Sequence, residues 1–348
     1  MAGVCCPRPE DTRRRYRDVV VLAFGSLDEL TSELESRAPF KSTDSLSGSR
    51  FEVARFRGED VILKYICVDD DWIMRATGDV HCRQLTLFQS GALERLPATI
   101  DHAILAVAPY TTPSGHRGGA FLMCNLADRL IPAGSDAISL GTHTRFLEHM
   151  SDLHAAYWHS SLGGELFPFM HQYMFLTPTM AVLESKRGGI DPVPRAVADG
   201  WVRMRHLWPG SAGNLEDLSH DPSPLVAALA ETPATLLHGD WKLGNLGEHP
   251  DGRTILLDWD RTGSGPATFE LAWYLAVNCD RLPHTKEDAI EVYRRALQRN
   301  GVDTEGWWPR QLALSLAGAM LMLGWSKVDQ KEEFGWWQER FREGLAHI

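Results

Sequence analysis

The sequence has few cysteines and no Cys-x-x-Cys pair. Apart from the adjacent Cys5 and Cys6, its six cysteines are scattered along 348 residues. Closely spaced cysteine pairs are typical of disulfide frameworks, zinc sites and redox motifs. Their absence favours reduced thiols, as in a cytoplasmic protein.

Long apolar runs are also missing. A membrane-spanning helix needs about 20 consecutive apolar residues, and no stretch approaches that length. The N-terminus does not have the pattern of a signal peptide, since residues 13–17 are charged and the apolar run at 19–24 is short. We therefore expect a cytoplasmic protein that does not associate with a membrane.

Basic residues are in the minority, with 35 Lys and Arg against 46 Asp and Glu, which gives a formal net charge of −11. A broadly acidic surface repels phosphate backbones, so we expect no nucleic-acid partner. The length favours two domains, and 44% hydrophobic residues suffice for a sizeable core. The composition leaves open whether the chain is a monomer or a homodimer.

Two short apolar runs in the C-terminal half each lead into a carboxylate. The runs at 235–237 and 255–257 predict strands, followed by Asp240 and Asp258. Asn245 follows Asp240 by five residues, and these oxygen ligands suit Mg²⁺ that also binds phosphate. Each residue alone could be an ordinary turn residue. Together they favour phosphoryl transfer, in which Asp240 orients the acceptor hydroxyl and takes its proton while Asn245 and Asp258 hold the metal.

These residues form the string His-Gly-Asp-x-x-x-x-Asn at 238–245, followed by Ile-Leu-Leu-Asp-Trp-Asp at 255–260. This pattern resembles the aminoglycoside phosphotransferase and choline kinase group within the protein-kinase-like fold. Gly239 stands where protein kinases have an Arg that contacts a phosphorylated activation loop, and the stretch at 258–266 is too short to be such a loop. The resemblance implies a small-molecule kinase without regulation by phosphorylation.

The resemblance also implies the fold and the division of the chain. We expect an α+β, two-lobed protein-kinase-like fold with a small antiparallel-sheet N-lobe and a larger, mainly helical C-lobe. Residues 1–124 would form the nucleotide-binding N-lobe. Residues 125–348 would form the C-lobe, with the catalytic loop, the metal site and the substrate pocket.

Residues 40–66 predict a strand, a small-residue turn and two further strands, as at the start of a kinase N-lobe. Ser47, Gly48 and Ser49 would lie over the nucleotide phosphates and offer backbone N–H groups and hydroxyls. One Gly between two serines is also an ordinary hairpin turn. Lys64 occupies the place of a kinase's phosphate-binding lysine, and the alternative is a lysine at a strand edge whose ammonium reaches solvent.

The usual partner of that lysine is a Glu on the next helix, and here the sequence departs from the family. The helix predicted at 72–90 contains no Glu. Asp79 is the acid in its central part and is the candidate partner of Lys64. Three further aspartates, at 69–71, precede the helix.

The last N-lobe strand should run into the linker that binds the adenine. In this fold the base lies beside the linker and bonds to its backbone, which here would be Met123, Cys124, Asn125 and Leu126. A plain buried strand would have the same residues.

Five further residues have predicted roles in the C-lobe. Lys242 would contact the γ-phosphate, or be a solvated loop lysine. His238 would be a scaffold residue that packs under the metal-site Asp, and Glu270 would stabilise the catalytic loop. His154 is expected to be a hydrogen-bonded core histidine. Asp260 would either assist metal binding or cap the following turn.

Apolar periodicity predicts most of the helices, while residues 161–232 are expected to be irregular apart from one short helix. The predicted helices lie at 26–37, 142–160, 225–230, 269–277, 287–300 and 309–322.

The acceptor pocket should be shaped by residues 161–215 and 278–345. Many aromatic residues and few clustered acids favour a pocket of mixed apolar and hydrogen-bonding character. We therefore expect a hydroxylated natural product, such as a nucleoside or glycoside antibiotic, phosphorylated from ATP or GTP with Mg²⁺. A metabolite kinase for choline, homoserine or a sugar is the alternative. A kinase-fold binding protein without turnover is a third possibility.

Overall fold

A computed structural model describes residues 21–41, 47–93, 95–160, 166–209 and 212–348, without the side chains of residues 212 and 213. The expectations for residues 1–20, for residues 42–46 of the phosphate-binding turn and for residues 161–165 lie outside the described part.

The secondary structure has the order expected of an α+β chain, with strands concentrated in the first third. The strands are β1 (Leu22–Ala23), β2 (Leu34–Phe40), β3 (Arg50–Phe56), β4 (Glu59–Ile66), β5 (Ile100–Asp101), β6 (Ile104–Thr111), β7 (Arg117–Cys124), β8 (Thr235–Leu237), β9 (Leu246–Glu248), β10 (Thr254–Leu256) and β11 (Gly263–Gly265). The helices are α1 (Leu27–Ser32), α2 (Trp72–Ala76), α3 (Arg83–Gln89), α4 (Leu140–Ala156), α5 (Pro178–Lys186), α6 (Pro192–Leu207), α7 (Ala212–His220), α8 (Ser223–Ala230), α9 (Ala267–Val277), α10 (Lys286–Arg299), α11 (Trp308–Leu323) and α12 (Lys331–Leu345).

The main sheet has six strands in the order β1-β6-β7-β4-β3-β2. Its neighbours pair antiparallel, except that β1 pairs parallel with β6. The central strands β4 and β7 are buried along most of their length, as expected for strands with neighbours on both sides.

The hairpin between β3 and β4 sets the register of Lys64. Arg57 and Gly58 both have positive φ, at 52° and 80°, which is the geometry of a two-residue turn whose twist matches the strands. The pairing then places Phe51 opposite Lys64. The two further strands predicted up to residue 66 are confirmed as β3 and β4.

The chain forms two compact units, whose boundary differs from the one expected at residue 124. The first holds the described residues up to Pro132 together with Gly244–Asp260, and the second holds the described residues of 133–243 and Arg261–Ile348. The reason is a three-stranded sheet, in which β10 pairs parallel with β5 and antiparallel with β9. The metal-ligand candidates Asn245 and Asp258 therefore fold with the N-terminal unit.

The second unit is mainly helical, as expected. Its helices α4, α5 and α10 are preceded by the N-cap residues Ser139, Thr177 and Thr285. The side-chain oxygen of each N-cap accepts the backbone N–H of the residue three positions further along the chain. The strands β8 and β11 form a two-stranded antiparallel ladder in this unit. No helix in the described ranges is long and apolar enough to span a bilayer.

The helix predicted at 26–37 is only half right. It begins after Ser26, whose side chain accepts the N–H of Glu29, and it ends at Ser32. Leu34–Phe40 is instead a strand at the sheet edge, paired with β3. Pairing overrides local helix propensity here, and Pro39 is tolerated because an edge strand has one unpaired side.

Two other regions also differ from the sequence-based expectation. The helix predicted at 72–90 is interrupted between α2 and α3, where Gly78 has a φ of 66°. The three helices α5, α6 and α7 lie within the range that the sequence predicts to be irregular. Pro178 and Pro192 suggest loops in the sequence, but each stands at the first position of a helix, where its missing N–H has no cost.

Candidate active site

Lys64 on β4 lies in the first unit beside three carboxylates. It is only 7% exposed, and its Nζ lies 2.6 Å from Oδ1 of Asp258. Burial lowers the pKa of Lys64, but Asp258, Asp260 and Asp71 oppose this and the net pKa is raised. We call these four residues the lysine cluster. Its lysine is a buried, charged group held by a residue 194 positions away.

Asp258 has an unusual backbone. Its φ is 61°, in the left-handed region that costs a residue other than glycine about 1–3 kcal/mol. The N–H of Leu257 donates to the backbone oxygen of Asn245 over 2.9 Å, which places Asn245 next to this strand end. Such strain persists where the surrounding structure fixes it, and it clusters at functional sites.

The residues around Asp258 fit a magnesium ion that is also coordinated by phosphate oxygens. The Asp258 carboxylate and the Asn245 amide offer hard oxygen atoms, and Mg²⁺ typically uses one or two carboxylates together with phosphate oxygens and water. Asp260 acts electrostatically on Lys64 and belongs to the same acidic segment. Its role as ligand or turn residue stays open.

The Ser47-Gly48-Ser49 turn packs against the segment that precedes α2. Gly48 has a φ of 101°, and a Cβ atom there would lie 2.1 Å from the backbone oxygen of Asp70, so only glycine fits. The N–H of Trp72 donates to the Ser47 carbonyl over 3.1 Å. The hydroxyls of Ser47 and Ser49 lie 3.3 Å apart. The turn offers polar groups, and its contact with phosphates stays a prediction.

Asp79 is not the partner of Lys64, and that prediction is wrong. Both oxygens of its carboxylate accept the backbone N–H of Arg83, over 3.1 and 3.0 Å. Because α2 ends at Ala76, Asp79 lies in the break between the two helices and binds the first turn of α3. A continuous helix would have been needed to bring it towards the lysine.

The linker candidates lie where the sequence predicts. Strand β7 ends at Cys124, whose N–H donates to the Ala103 carbonyl over 3.0 Å. Met123, Cys124 and Leu126 are buried, and Asn125 is exposed. Their contact with an adenine base stays a prediction.

Asp240 lies in the second unit between two cations. It is 5% exposed, with Lys242 Nζ 2.8 Å from Oδ2 and Arg261 Nη1 3.3 Å from Oδ1. Burial alone would raise the pKa of Asp240, but Lys242 and Arg261 hold it down to about 2. The group is therefore a carboxylate at any physiological pH.

Arg261 is a residue that sequence reasoning missed. Its guanidinium is 2% exposed and lies between the rings of Phe175 and Trp273, 4.3 and 4.2 Å from their centroids. Gln172 Oε1 accepts its Nε and Nη2 over 3.1 and 2.7 Å. This packing fixes the guanidinium that faces Asp240. We call Asp240, Lys242, Arg261 and Gln172 the aspartate cluster.

Glu270 on α9 supports the backbone before Asp240. Its carboxylate accepts the N–H groups of Gly239 and His238, over 2.5 and 3.1 Å, and contacts Nε2 of His154 over 2.9 Å. These contacts lower its pKa although burial would raise it. Gly239 has a φ of 86°, and a Cβ there would lie 2.4 Å from the Arg261 oxygen. The supporting role predicted for Glu270 is confirmed, as is the prediction that His154 is a hydrogen-bonded core histidine.

We expect Glu270→Gln to lower the free energy of unfolding by about 3 kcal/mol. The glutamine amide would place its NH₂ group, itself a donor, against the buried donors that bind the carboxylate. It would also lose hydrogen bonds to a charged group, each of which is worth about 1.5–3 kcal/mol. Chemical denaturation at pH 7 measures this. The control is Glu291→Gln, which removes an exposed pair with Arg295 and should cost below about 0.5 kcal/mol. Equal stability of both variants would contradict the supporting role.

Several of the aromatic residues in the ranges expected to shape an acceptor pocket are packed in the interior. Five of them are nearly inaccessible: Phe167, Tyr173, Phe175, Trp201 and Trp208. A surface concavity of about 490 Å³ does lie at α5 and α6, with Glu184, Asp191 and Asp199 in its lining. None of the predicted site residues lines it. The aromatic content therefore gives no evidence about the acceptor.

Comparison with protein families identifies the segment that carries most of these residues. Residues 195–308 match a phosphotransferase enzyme family. The matched range includes Asp240, Lys242, Asn245 and Asp258, whereas Lys64 lies outside it. The match confirms the resemblance that the sequence motif indicates. A search of curated proteins gave no significant match.

Solved structures show the fold. A microcompartment-associated aminopropanol kinase is similar with a TM-score of 0.50 and 13% identity, over 90% of this chain and 93% of the kinase. A choline kinase from Streptococcus pneumoniae has a TM-score of 0.49 and 14% identity, over 92% and 96% of the two chains. At such identity the first likeness shows fold alone. It confirms the α+β, kinase-like fold class predicted from the sequence.

Proposed function

We propose that the chain is a small-molecule phosphotransferase that moves the γ-phosphate of a nucleoside triphosphate to a substrate hydroxyl. The observation that carries this proposal is the 2.6 Å ion pair between Lys64 and Asp258. The motif assigns these two residues independently, one to the phosphates and one to the metal. Their contact across 194 residues places the predicted phosphate-binding lysine beside the predicted metal-binding aspartate, and a kinase-type nucleotide site needs both groups near the phosphates.

Each cluster has a separate task in this proposal. Lys64 binds the α- and β-phosphates, and Asn245 and Asp258 would hold Mg²⁺, which would supply charge neutralisation to the phosphates. Asp240 accepts the hydrogen bond of the acceptor hydroxyl and directs its oxygen at the γ-phosphorus. Lys242 contributes positive charge near the transferred group.

The low pKa of Asp240 changes one detail of the sequence-based mechanism. A carboxylate with a pKa of about 2 is a weak base, so it does not remove the hydroxyl proton ahead of the reaction. It orients the hydroxyl and receives its proton only as the new O–P bond forms and the bond from the γ-phosphorus to the leaving nucleoside diphosphate breaks. A loose transition state with little early bond formation needs no stronger base.

This assignment predicts the pH dependence of kcat. Because the pKa of Asp240 is lowered to about 2, the charged form persists at higher pH and is lost only as the pH falls through that value. We therefore expect kcat to show no acid limb from Asp240 between pH 5 and 8. Steady-state rates at saturating substrates across that range test this. An acid limb in that range that disappears from the residual activity of Asp240→Asn would contradict it.

For the acceptor we propose a hydroxylated natural product of the antibiotic type, which phosphorylation would inactivate. Its support is the match of residues 195–308 to a phosphotransferase enzyme family. The sequence motif at 238–260 also resembles that of aminoglycoside phosphotransferases. The resemblance to choline kinases carries the alternative, a metabolite kinase acting on choline, homoserine or a sugar. The two differ in acceptor and share the chemistry.

A transfer assay separates these possibilities. Nucleotide labelled in the γ-phosphate is incubated with the protein, Mg²⁺ and a panel of nucleoside and glycoside antibiotics, choline, homoserine and sugars. Label transferred to an antibiotic but not to the metabolites supports the first proposal, and the reverse supports the alternative. The matched control is Asp240→Asn, which should transfer little label to any acceptor.

A third outcome would identify a kinase-fold binding protein without turnover. Such a protein would bind the nucleotide with Mg²⁺ but would not transfer the label to any acceptor. In the absence of acceptor it would also show no slow hydrolysis of the nucleotide. Calorimetry and a hydrolysis assay on the same preparation distinguish it. Failure to bind any nucleotide would contradict the phosphotransferase proposal itself.

A further inference from the structure

The hairpin formed by β9 and β10 connects the two metal-ligand candidates. Asn245 directly precedes β9, and Asp258 lies two residues after the end of β10. The two strands pair antiparallel, and at their open end the N–H of Leu257 donates to the Asn245 carbonyl over 2.9 Å. The position of this hairpin therefore decides where both ligand candidates lie.

The stretch directly after the predicted adenine linker pairs with β9 along its backbone. The N–H of Glu248 donates to the Arg129 carbonyl over 3.0 Å. Two residues further along this stretch, the N–H of Ile131 donates to the Leu246 carbonyl over 2.8 Å. Gly247 lies between these hydrogen bonds, and a Cβ atom there would lie 2.6 Å from the Arg129 oxygen, so only glycine allows this close approach. The linker stretch and the hairpin are therefore bonded to each other directly.

A buried histidine ties the turn of the hairpin to the same stretch. His249 directly follows β9 and is only 5% exposed. Its Nδ1 lies 3.2 Å from Nη1 of Arg129, and its Nε2 lies 2.9 Å from Oδ2 of Asp101. Because a guanidinium only donates, Nδ1 accepts, and Nε2 carries the hydrogen that Asp101 accepts. The imidazole thus joins two residues that are 120 and 148 positions away from it.

Asp101, at the end of β5, is itself anchored to the linker. Its Oδ1 accepts the N–H of Ala103 over 2.7 Å, and its Oδ2 lies 3.3 Å from Nη1 of Arg253. The Ala103 carbonyl in turn accepts the N–H of Cys124, in the predicted linker, over 3.0 Å. Burial alone would raise the pKa of Asp101, but the hydrogen bond from His249 and the other groups around it hold it at about 2. His249 therefore donates to a fixed carboxylate.

We propose that His249 is a positioning residue that holds the metal-binding hairpin in register with the adenine-binding linker. This inference rests on the proposed function, in which one nucleotide spans both places. A ligand with two linked parts gains affinity from the linkage only when both subsites lie at the matching separation. His249 thus acts on the binding of the whole nucleotide and not on the binding of its separate parts.

The test compares three probes on His249→Ala. Adenosine needs the linker alone, inorganic tripolyphosphate with Mg²⁺ needs Lys64 and the metal site alone, and ATP with Mg²⁺ needs both. Calorimetry should give Kd values for the first two probes within about twofold of the wild type, because each subsite stays intact. The Kd for ATP with Mg²⁺ should rise about tenfold, a part of the roughly 10²–10⁴-fold that linkage can contribute.

Three further variants make the result decisive. His249→Gln keeps one acceptor and one donor, so it should recover part of the lost affinity for ATP with Mg²⁺. Gly247→Ala pushes the hairpin and the linker stretch apart by a separate route, so it should give the same pattern as His249→Ala. Asp251→Asn changes an exposed carboxylate in the same turn, whose hydrogen bonds stay within that turn, and it should leave all three Kd values unchanged.

Two results would overturn the inference. An equal loss for all three probes in a folded His249→Ala would mean a general structural role, and an unchanged Kd for ATP with Mg²⁺ would mean that the hairpin keeps its register without the imidazole. Circular dichroism and melting temperature establish the folding. If His249→Ala does not fold, His249→Gln and Gly247→Ala decide, and the loss should again be confined to ATP with Mg²⁺.

The same measurements separate this inference from the proposed function. Mg²⁺-dependent ATP binding by the wild type, together with unchanged binding by His249→Ala, overturns the role of His249 and leaves the phosphotransferase proposal standing. No Mg²⁺-dependent binding of ATP by the wild type overturns both.

Discussion

Asp240→Asn is expected to lower kcat by about 10²–10⁴-fold while the Kd for nucleotide stays near the wild-type value. The amide offers one acceptor atom instead of a carboxylate and loses the charge that Lys242 and Arg261 balance. The acceptor hydroxyl would then be poorly directed at the γ-phosphorus. Single-turnover rates with labelled nucleotide measure the chemical step, and calorimetry measures binding.

The same substitution removes the negative charge between Lys242 and Arg261 at the buried position 240, so the folding of the variant must be monitored too. Melting temperature and circular dichroism show whether the loss of rate comes from unfolding. Asp251→Asn is the matched control, because Asp251 is exposed in the turn between β9 and β10 and binds only within its own loop. Full turnover by Asp240→Asn at saturating substrates would remove Asp240 from the mechanism.

The positions of the two candidate site carboxylates, Asp240 and Asp258, were predictable because local rules determine them. The apolar run at 235–237 matches β8, and the run at 255–257 matches β10 to within one residue. Each strand ends where a polar turn begins, so the acids at these ends could be located from alternation and turn composition alone. The position of Lys64 within β4 follows from the same kind of pattern.

The partners of these residues were not predictable in the same way. Arg261 binds Gln172, 89 positions away, and lies between two aromatic rings from different parts of the chain. No periodicity connects such residues. The one available sign was a charged residue directly after Asp260, within the candidate site segment at 258–266.

The partner of Lys64 shows how one wrong element changes a site assignment. The sequence favours a continuous helix at 72–90, and on such a helix Asp79 is the acid closest to its centre. Because the helix is broken at Gly78, the Asp79 carboxylate instead accepts a hydrogen bond from the start of α3. Lys64 pairs with Asp258. Helix boundaries depend on tertiary packing, which propensity does not contain.

Asp258→Asn is expected to abolish Mg²⁺-dependent nucleotide binding, whereas Asp260→Asn should weaken it far less. Asp258 lies two residues after the end of β10, binds Lys64 at 2.6 Å and has a strained backbone, so the surrounding structure fixes its carboxylate. An amide is a poor substitute because it brings no negative charge to a divalent cation. Calorimetry with ATP and Mg²⁺ compares the two variants.

The choice of asparagine matters, because φ is 61° at Asp258. Asparagine tolerates the left-handed region better than alanine, so it removes the charge without adding backbone strain. Asp258→Ala then serves as a second variant, and a further loss in melting temperature relative to Asp258→Asn measures the strain. Titration with EDTA-treated ATP should show that residual binding by Asp258→Asn no longer depends on metal. If Asp258→Asn and Asp260→Asn instead lose equal affinity, the two aspartates share the metal and the separate roles assigned to them here are wrong.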